Sequence, residues 1–334
     1  MLKVGVIGAG FIGNCHAQAW QNVNNAKLLK IADIEELKAK KVAQQYNIEY
    51  TSNPEDLIND KNLDIVDVCL PTDLHQEFVI KGAKAKKHIF CEKPLARTIE
   101  DGKKMIDICR ENKVKFMVGH VLRFFPEYSL IKQQIDAGIV GKPGIIRVSR
   151  LNVFPVSETG KNWYGNFERS GGVIFDMAIH DLDYLRWCFG EPERIFAKGL
   201  GFTEKYQQGI DYALIVIRFK SKIIVHLEAS WAEPPQNGFN QEIEISGSKG
   251  LIHYNMKEIS PLIVSLKQTS SQSAGVNIPE SPLKQNPYSL ELQEFINSII
   301  ENREPTPTPD DSLKTLQLAL NILESVKKGE IINL

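Results

Sequence analysis

The sequence predicts an α/β protein, with an amino-terminal doubly wound parallel sheet followed by a second α/β domain on an open, mainly antiparallel sheet. Three observations predict it. An apolar strand, Val4 to Ile7, runs straight into the glycine turn Gly8-Ala9-Gly10-Phe11-Ile12-Gly13 and then a helix. Apolar runs alternate with helical patterns as far as Gly119, the rhythm of βαβ units whose strands are covered on both faces. Beyond Pro126, closely spaced strand candidates joined by short polar turns take over, as in an antiparallel sheet of hairpins. The change of pattern places the domains at residues 1–122 and 123–334.

Taken in order, Lys27 to Ala32 reads as the second strand, and Glu35 to Tyr46 has helical spacing and good helix formers. Pro54 to Asn59 opens a short helix behind Asn53 as its cap. Asp64 to Leu70 is a buried parallel strand that leads through Pro71-Thr72-Asp73-Leu74-His75 into a helix reaching about Lys86. Lys84 to Lys87 reads as the solvated end of that helix. His88 to Cys91, the helix Thr98 to Asn112 and the strand Lys115 to Gly119 complete the first half. In the second half Tyr128 to Gly138 is helical, and Pro143-Gly144 turns into a strand, Ile145 to Val153. Further strands are expected at Arg194 to Gly199, Tyr212 to Phe219, Ile223 to Ser230, Gln241 to Ser246 and Leu251 to Tyr254, joined as hairpins through turns such as Lys220-Ser221-Lys222 and Gly247 to Gly250. One face of such a sheet packs on helices and the other usually needs a partner, so a homodimer or homotetramer through the C-terminal sheet is expected. Thr269 to Gln285, rich in Ser, Pro, Gln and Gly, reads as a mobile arm. Helices Ser289 to Asn302 and Asp311 to Lys328, separated by Pro305-Thr306-Pro307-Thr308-Pro309, close the chain.

Composition narrows the class. With 334 residues, 43% hydrophobic and 24% charged, the chain has the make-up of an ordered globular protein. A net charge of −1 and the lack of basic clusters with interleaved aromatics argue against a nucleic-acid partner. Strand one begins within three residues of Met1, and no apolar run approaches a membrane span, so no leader and no membrane partner are expected. Five widely spaced cysteines (Cys15, Cys69, Cys91, Cys109, Cys188) fit free thiols in a reducing cytosol, and a cytoplasmic location is expected.

The glycine turn carries the first chemistry. Gly8 allows a tight turn, Gly10 lets the backbone approach a pyrophosphate, and Gly13 lets the helix pack on the strand. The helix start, with Phe11 and Ile12, offers N–H groups and a positive dipole end to that pyrophosphate. Asp33, twenty residues past Gly13, is placed to accept both hydroxyls of an adenosine ribose. A 2′-phosphate there would meet like charge, and Ile34, Glu35 and Glu36 bring no arginine, so NAD is favoured over NADP. The turns after the later strands open onto the same crevice, where Pro71, Thr72 and His75 and the charged pair of Glu92-Lys93-Pro94 are expected.

The second constellation is Ser170-Gly171-Gly172-Val173-Ile174-Phe175-Asp176-Met177-Ala178-Ile179-His180-Asp181-Leu182-Asp183, a glycine entry to a helix. Asp176 and His180 stand four apart and so share a face, either as a surface pair or as acid/base groups. A metal held by Asp176, His180, Asp181 and Asp183 is disfavoured, because those helical positions cannot all converge, and no metal is expected. Oxidation of an alcohol by NAD⁺ requires a hydroxyl proton to leave, which suits histidine near neutral pH. Asp176 would fix its tautomer or bind a hydroxyl, and Lys93 would stabilise developing alkoxide charge.

Gly8-x-Gly10-x-x-Gly13, Asp33, Pro71-Thr72 with His75, Glu92-Lys93-Pro94, and Gly171-Gly172 followed by Asp176 and His180 together resemble the glucose-fructose oxidoreductase, inositol dehydrogenase and MocA-like oxidoreductase family. The resemblance spans nearly the whole chain. It implies a Rossmann amino-terminal domain, a carboxy-terminal α/β domain with an open sheet, dimers or tetramers, and sugar or polyol oxidation. It also implies Lys93, Asp176 and His180 as the catalytic group, with His180 as base, and a cis peptide at Lys93-Pro94. The exported branch of the family carries a long signal segment, and none is expected here. Arg123, Asn152, Trp163, Tyr164 and Trp231 are near elements expected to face the crevice, where aromatic faces and polar groups suit a polyhydroxylated ring, although Trp163 and Trp231 equally suit packing. Inositols, free aldoses and glycosides are all compatible. Two other functions fit the same residues, NAD-dependent glycoside hydrolysis by transient oxidation and elimination, and an NAD-sensing regulator, although a pure sensor has no need of an acid/base pair.

Overall fold

The computed structural model describes residues 1–155, 163–203, 209–258, 262–266, 275–277 and 286–334. Within it the described chain forms two units, Met1–Phe124 with Gln285–Leu316, and Phe125–Lys284 with Gln317–Leu334. The first boundary lies two residues beyond the expected 122. The expected second domain, however, does not keep residues 285–316, which belong to the first unit.

The first unit is a βαβ succession: β1 (Leu2–Ile7), α1 (Phe11–Trp20), β2 (Ala26–Ala32), α2 (Glu36–Tyr46), β3 (Glu49–Thr51), α3 (Pro54–Ile58), β4 (Ile65–Val68), α4 (His75–Lys84), β5 (His88–Glu92), α5 (Ile99–Glu111) and β6 (Phe116–Gly119). Its six strands are parallel in the order β3-β2-β1-β4-β5-β6. The order reverses between β1 and β4, and a crevice opens there at the strands' carboxyl ends. Local chemistry sets the helix starts. Asn53 accepts a hydrogen bond from the Glu55 N–H with Pro54 in the first turn, and Thr98 accepts one from Asp101. Asn47 ends α2 in the left-handed region with φ 52°. Lys87 departs from its expected solvated place. It is buried, with Nζ donating to the Asp60 and Leu63 carbonyls at 2.8 and 2.6 Å, and burial lowers its pKa.

The second unit begins with α6 (Pro126–Asp136) and β7 (Pro143–Leu151), then α7 (Phe167–Ser170), α8 (Ile179–Phe189), β8 (Pro192–Leu200), β9 (Tyr212–Phe219), β10 (Ile224–Ser230), β11 (Asn240–Gly247), β12 (Gly250–Asn255), β13 (Leu262–Leu266) and β14 (Gly275–Asn277). The chain closes through α9 (Pro287–Ile300), α10 (Pro309–Lys328) and β15 (Ile332–Asn333). The nine strands of this unit run β14-β13-β12-β11-β7-β10-β9-β8-β15, antiparallel throughout except for the parallel β7–β10 pair. The expected arm, Thr269 to Gln285, lies outside the described residues apart from β14.

Alternation along the strands separates the two faces of this sheet. Ala213, Ile215, Ile217 and Phe219 of β9 and Val225, Leu227 and Ala229 of β10 are buried, while Leu214, Val216 and Ile224 are exposed on the other face together with Ile145 of β7. Helices hold the inner side. Tyr184 of α8 donates its hydroxyl hydrogen to the Tyr128 carbonyl of α6 at 2.8 Å, and the Ala197 N–H donates to Ser325 of α10 at 2.9 Å. In the first unit Leu292, Phe295 and Ile296 of α9, spaced i, i+3, i+4, join the core formed by Val4, Val6, Ile31, Trp20 and Phe90. That apolar stripe is why residues 285–316 belong with the parallel sheet. Among the described residues, no helix is long and apolar enough to cross a membrane.

Candidate active site

The glycine turn is shaped by three different constraints. Gly8 has φ 103°, and a Cβ there would lie 2.2 Å from the Cys69 carbonyl oxygen. A Cβ on Gly13 would lie 1.8 Å from the Gly8 oxygen, so α1 can pack this closely on β1 only without one. Gly10 is different. It is exposed, and a Cβ would meet nothing within 4 Å, leaving space for a ligand's approach. As cap of α1 it brings no side-chain acceptor to the first-turn N–H groups, while Phe11 beside it is 86% exposed.

Asp33 closes the far side of this turn. Its Oδ2 accepts the Ala9 N–H at 2.7 Å and its Oδ1 accepts the Glu35 N–H at 2.8 Å. An ionised carboxylate has about four lone-pair sites, so both oxygens retain capacity for ribose hydroxyls. These features fit an adenine dinucleotide, which would rest on the α1 N-terminus with its ribose at Asp33.

His75 takes a different place from the expected crevice contact. It is fully buried, with Nε2 2.8 Å from the Leu70 carbonyl oxygen and Nδ1 2.9 Å from that of Pro94. Burial holds its pKa below the usual 6.5 against the pull of those carbonyls, and a neutral ring carries one N–H, so it donates to one of them at a time. His75 therefore ties the turn after β4 to the turn after β5. Thr72 is also buried, and Pro71 is half-buried. The Lys93-Pro94 peptide is cis, and Lys93 is half-buried with its N–H donating to Glu92 Oε2 at 3.1 Å.

In the second unit, Gly171 and Gly172 have φ 76° and 69°, and a Cβ at Gly172 would lie 2.6 Å from the Ile210 carbonyl oxygen. They lead into a widened π turn, Ile174–Ala178, before α8 begins at Ile179. Asp176 and His180 thus stand on two sides of a π-to-α junction and not on one straight helix, a distortion common at functional sites. Between Ser170 and Arg186 every other residue is buried, while Asp176 and His180 alone are half-buried. Asp181 points elsewhere, accepting from Arg150 Nε at 2.6 Å and Nη2 at 2.9 Å, with Arg150 Nη1 donating to Gln241 at 2.9 Å. That pair is buried and pins α8 to β7 and β11, which removes Asp181 from any ligand set with His180.

The remaining expected residues are spread between the two units. Arg123 is buried in the first unit. In the second, Asn152 is half-buried and its Oδ1 accepts the Val153 N–H at 2.9 Å. Trp163 stacks on Tyr164 with ring centroids 4.2 Å apart, and Trp231 is buried against Phe154 and Tyr164, a packing role.

The sequence reading missed a buried cluster in the first unit. His16 lies between Asp67 and Glu92, with its Nδ1 2.9 Å from Asp67 Oδ2 and its Nε2 3.0 Å from Glu92 Oε1. Trp20 Nε1 donates to the same Asp67 oxygen at 2.8 Å, and Cys69 Sγ lies 3.3 Å from His16 Nδ1. The available signal was Asp67 itself, a carboxylate in the middle of an apolar strand, which cannot be buried without partners.

Residues 2–120 match a family model described as an oxidoreductase family with an NAD-binding Rossmann fold (GFO/IDH/MocA), and residues 128–253 match the C-terminal domain of the same family. Over its full length the chain is 30% identical to the myo-inositol 2-dehydrogenase of Thermotoga maritima, covering 98% of that protein. It is 31% identical to the 2,7-anhydro-N-acetylneuraminate hydratase of Escherichia coli over 77% of this chain and 69% of that one. Among solved structures, levoglucosan dehydrogenase in complex with NADH and levoglucosan superimposes with a TM-score of 0.88 at 25% identity, covering 100% of this chain and 99% of the other.

Proposed function

As the chain belongs to the GFO/IDH/MocA family of NAD-binding Rossmann oxidoreductases, we propose that it is an NAD-dependent dehydrogenase oxidising a secondary hydroxyl of a sugar or cyclic polyol. The observation that carries this reading is the selective exposure of Asp176 and His180 in an otherwise buried run, in a chain whose first unit has a dinucleotide cradle. Bound NAD⁺ supplies the hydride acceptor. His180 takes the substrate hydroxyl proton, Asp176 orients that imidazole or the hydroxyl, and the Lys93 ammonium stabilises negative charge building on the oxygen. Arg123, Asn152 and Trp163 are the proposed substrate-binding residues. The names of the relatives favour inositols and 1,6-anhydro sugars as first candidates.

Exposed Ile145, Leu214, Val216 and Ile224 on the outer sheet face support a homodimer or homotetramer through that face, and five cysteines that form no disulfide support a reducing cytoplasm.

The test is NADH formation against myo- and scyllo-inositol, levoglucosan, free aldoses and alditols, with NAD⁺ and NADP⁺ in parallel. Turnover of one structural class with NAD⁺ preferred is expected. Firm NAD⁺ binding with no NADH from any of them would contradict the reading. The likeness to a hydratase favours one alternative, transient oxidation followed by elimination or hydration, whose mark is product release without net NADH.

A further inference from the structure

The His16 cluster has no part in the chemistry assigned above, yet it adjoins Lys93. His16 is fully buried one turn beyond Gly13, and each ring nitrogen faces a carboxylate oxygen, Asp67 Oδ2 on one side and Glu92 Oε1 on the other. Serving both requires two N–H groups, which only the imidazolium has. Burial opposes that charge, but the charge and hydrogen bond of Asp67 prevail and hold the His16 pKa well above 6.5. The groups facing the ring are Asp67 from β4 and Cys69 just beyond it, Glu92 from β5, Cys15 on its own helix, and the rings of Phe90 and Tyr288 with centroids 5.6 and 5.7 Å away. His16, Asp67 and Cys69 also have donor atoms within 4.8 Å of one another, as metal ligands would. The 2.9 Å contact between Nδ1 and an Asp67 oxygen that also accepts from Trp20 has the length of an ordinary hydrogen bond instead.

Glu92 links this cluster to the crevice. One carboxylate oxygen faces His16 and the other accepts the Lys93 N–H. We propose that His16 is a positioning residue, which bridges Asp67 and Glu92 as an imidazolium and so fixes the carboxylate that holds the main chain of Lys93. Its effect on turnover rests on the role given to Lys93 above, while its effect on the place of Lys93 does not.

The test uses the full chain as wild type, His16→Gln and Gly119→Ala. The second variant keeps every charge, but its new Cβ would come within 3.1 Å of Glu92 Oε1. Lysines are acetylated with limiting acetic anhydride, and each site is quantified by peptide mass spectrometry, with exposed Lys27 and Lys103 as internal references. Lys93 labelling is expected to rise about threefold or more in both variants with the references unchanged, and NAD⁺ affinity to stay within about threefold. On the best substrate from the panel, kcat should fall about tenfold or more. Unchanged Lys93 labelling in either folded variant would overturn the proposal, as would labelling that rises at all lysines in Gly119→Ala. Lys93→Ala separates the two questions. If that variant keeps full turnover, the catalytic role of Lys93 fails while the labelling result stands. If it is inactive and labelling is unchanged, only the positioning role fails.

Discussion

Gly10 and Gly13 show how one motif joins two requirements at the scale of single residues. Gly13→Ala would drive its methyl into the Gly8 carbonyl, so loss of folded protein is expected, read by thermal melting. Gly10→Ala meets open space, so its Tm should match wild type while NAD⁺ affinity drops by about tenfold or more, read by fluorescence titration. Equal affinity in Gly10→Ala would show that the dinucleotide does not approach there. Asp33→Ala removes charge-assisted hydrogen bonds each worth about 1.5–3 kcal/mol, so NAD⁺ binding should weaken by one to two orders of magnitude, roughly, and the preference over NADP⁺ should shrink. His16 carries a pH signature. Its folded pKa is raised, so its contribution is complete below the unfolded value of about 6.5 and is lost as pH rises through the folded value. The Tm gap between wild type and His16→Gln should therefore be widest near pH 6 and narrow under alkaline conditions. A gap that widens with pH would show that the ring is buried neutral.

Among the elements, α8 depends on a buried ion pair for its register. Arg150 and Asp181 are both nearly inaccessible, and Arg150→Met would leave a buried carboxylate unpaired at a cost of about 3–5 kcal/mol. The double variant Arg150→Met with Asp181→Leu should recover most of that loss in denaturant unfolding, and failure to recover would point to a packing fault. Element positions were legible where local chemistry acts alone. Tyr212–Phe219 is a largely apolar run rich in β-branched and aromatic residues, closed by the Lys220-Ser221-Lys222 turn, and Asn53-Pro54 marks a helix start whatever lies beyond it. The π turn at Ile174–Ala178 was not legible, because no residue of the run Val173 to Ala178 marks a widened turn by its local chemistry. Nor were the partners of His75 and Lys87. Both read as surface or crevice residues until the fold supplied the carbonyls of Leu70, Pro94, Asp60 and Leu63.

For the whole molecule, the sequence showed two architectures but not the return of residues 285–316 to the first. The helical spacing of Leu292, Phe295 and Ile296 announces an apolar stripe without saying which core receives it. The glycine turn, Asp33, Lys93, Asp176 and His180 stand out as candidates in the sequence because motif spacing needs no coordinates. The His16 network was not, since it joins residues 51 and 76 positions apart. The outer sheet face makes assembly testable. Light scattering should give a dimer or tetramer, and Val216→Lys with Ile224→Lys should shift it to monomer without loss of fold. The most direct measurement of the central claim is single-turnover NADH formation from a polyol by wild type and His180→Ala, both saturated with NAD⁺. Wild type should form NADH, and the variant should be slower by about two orders of magnitude or more near neutral pH with unchanged NAD⁺ affinity. Equal rates in the two proteins would contradict the assignment of His180 as the base and, with it, the proposed chemistry of the second unit.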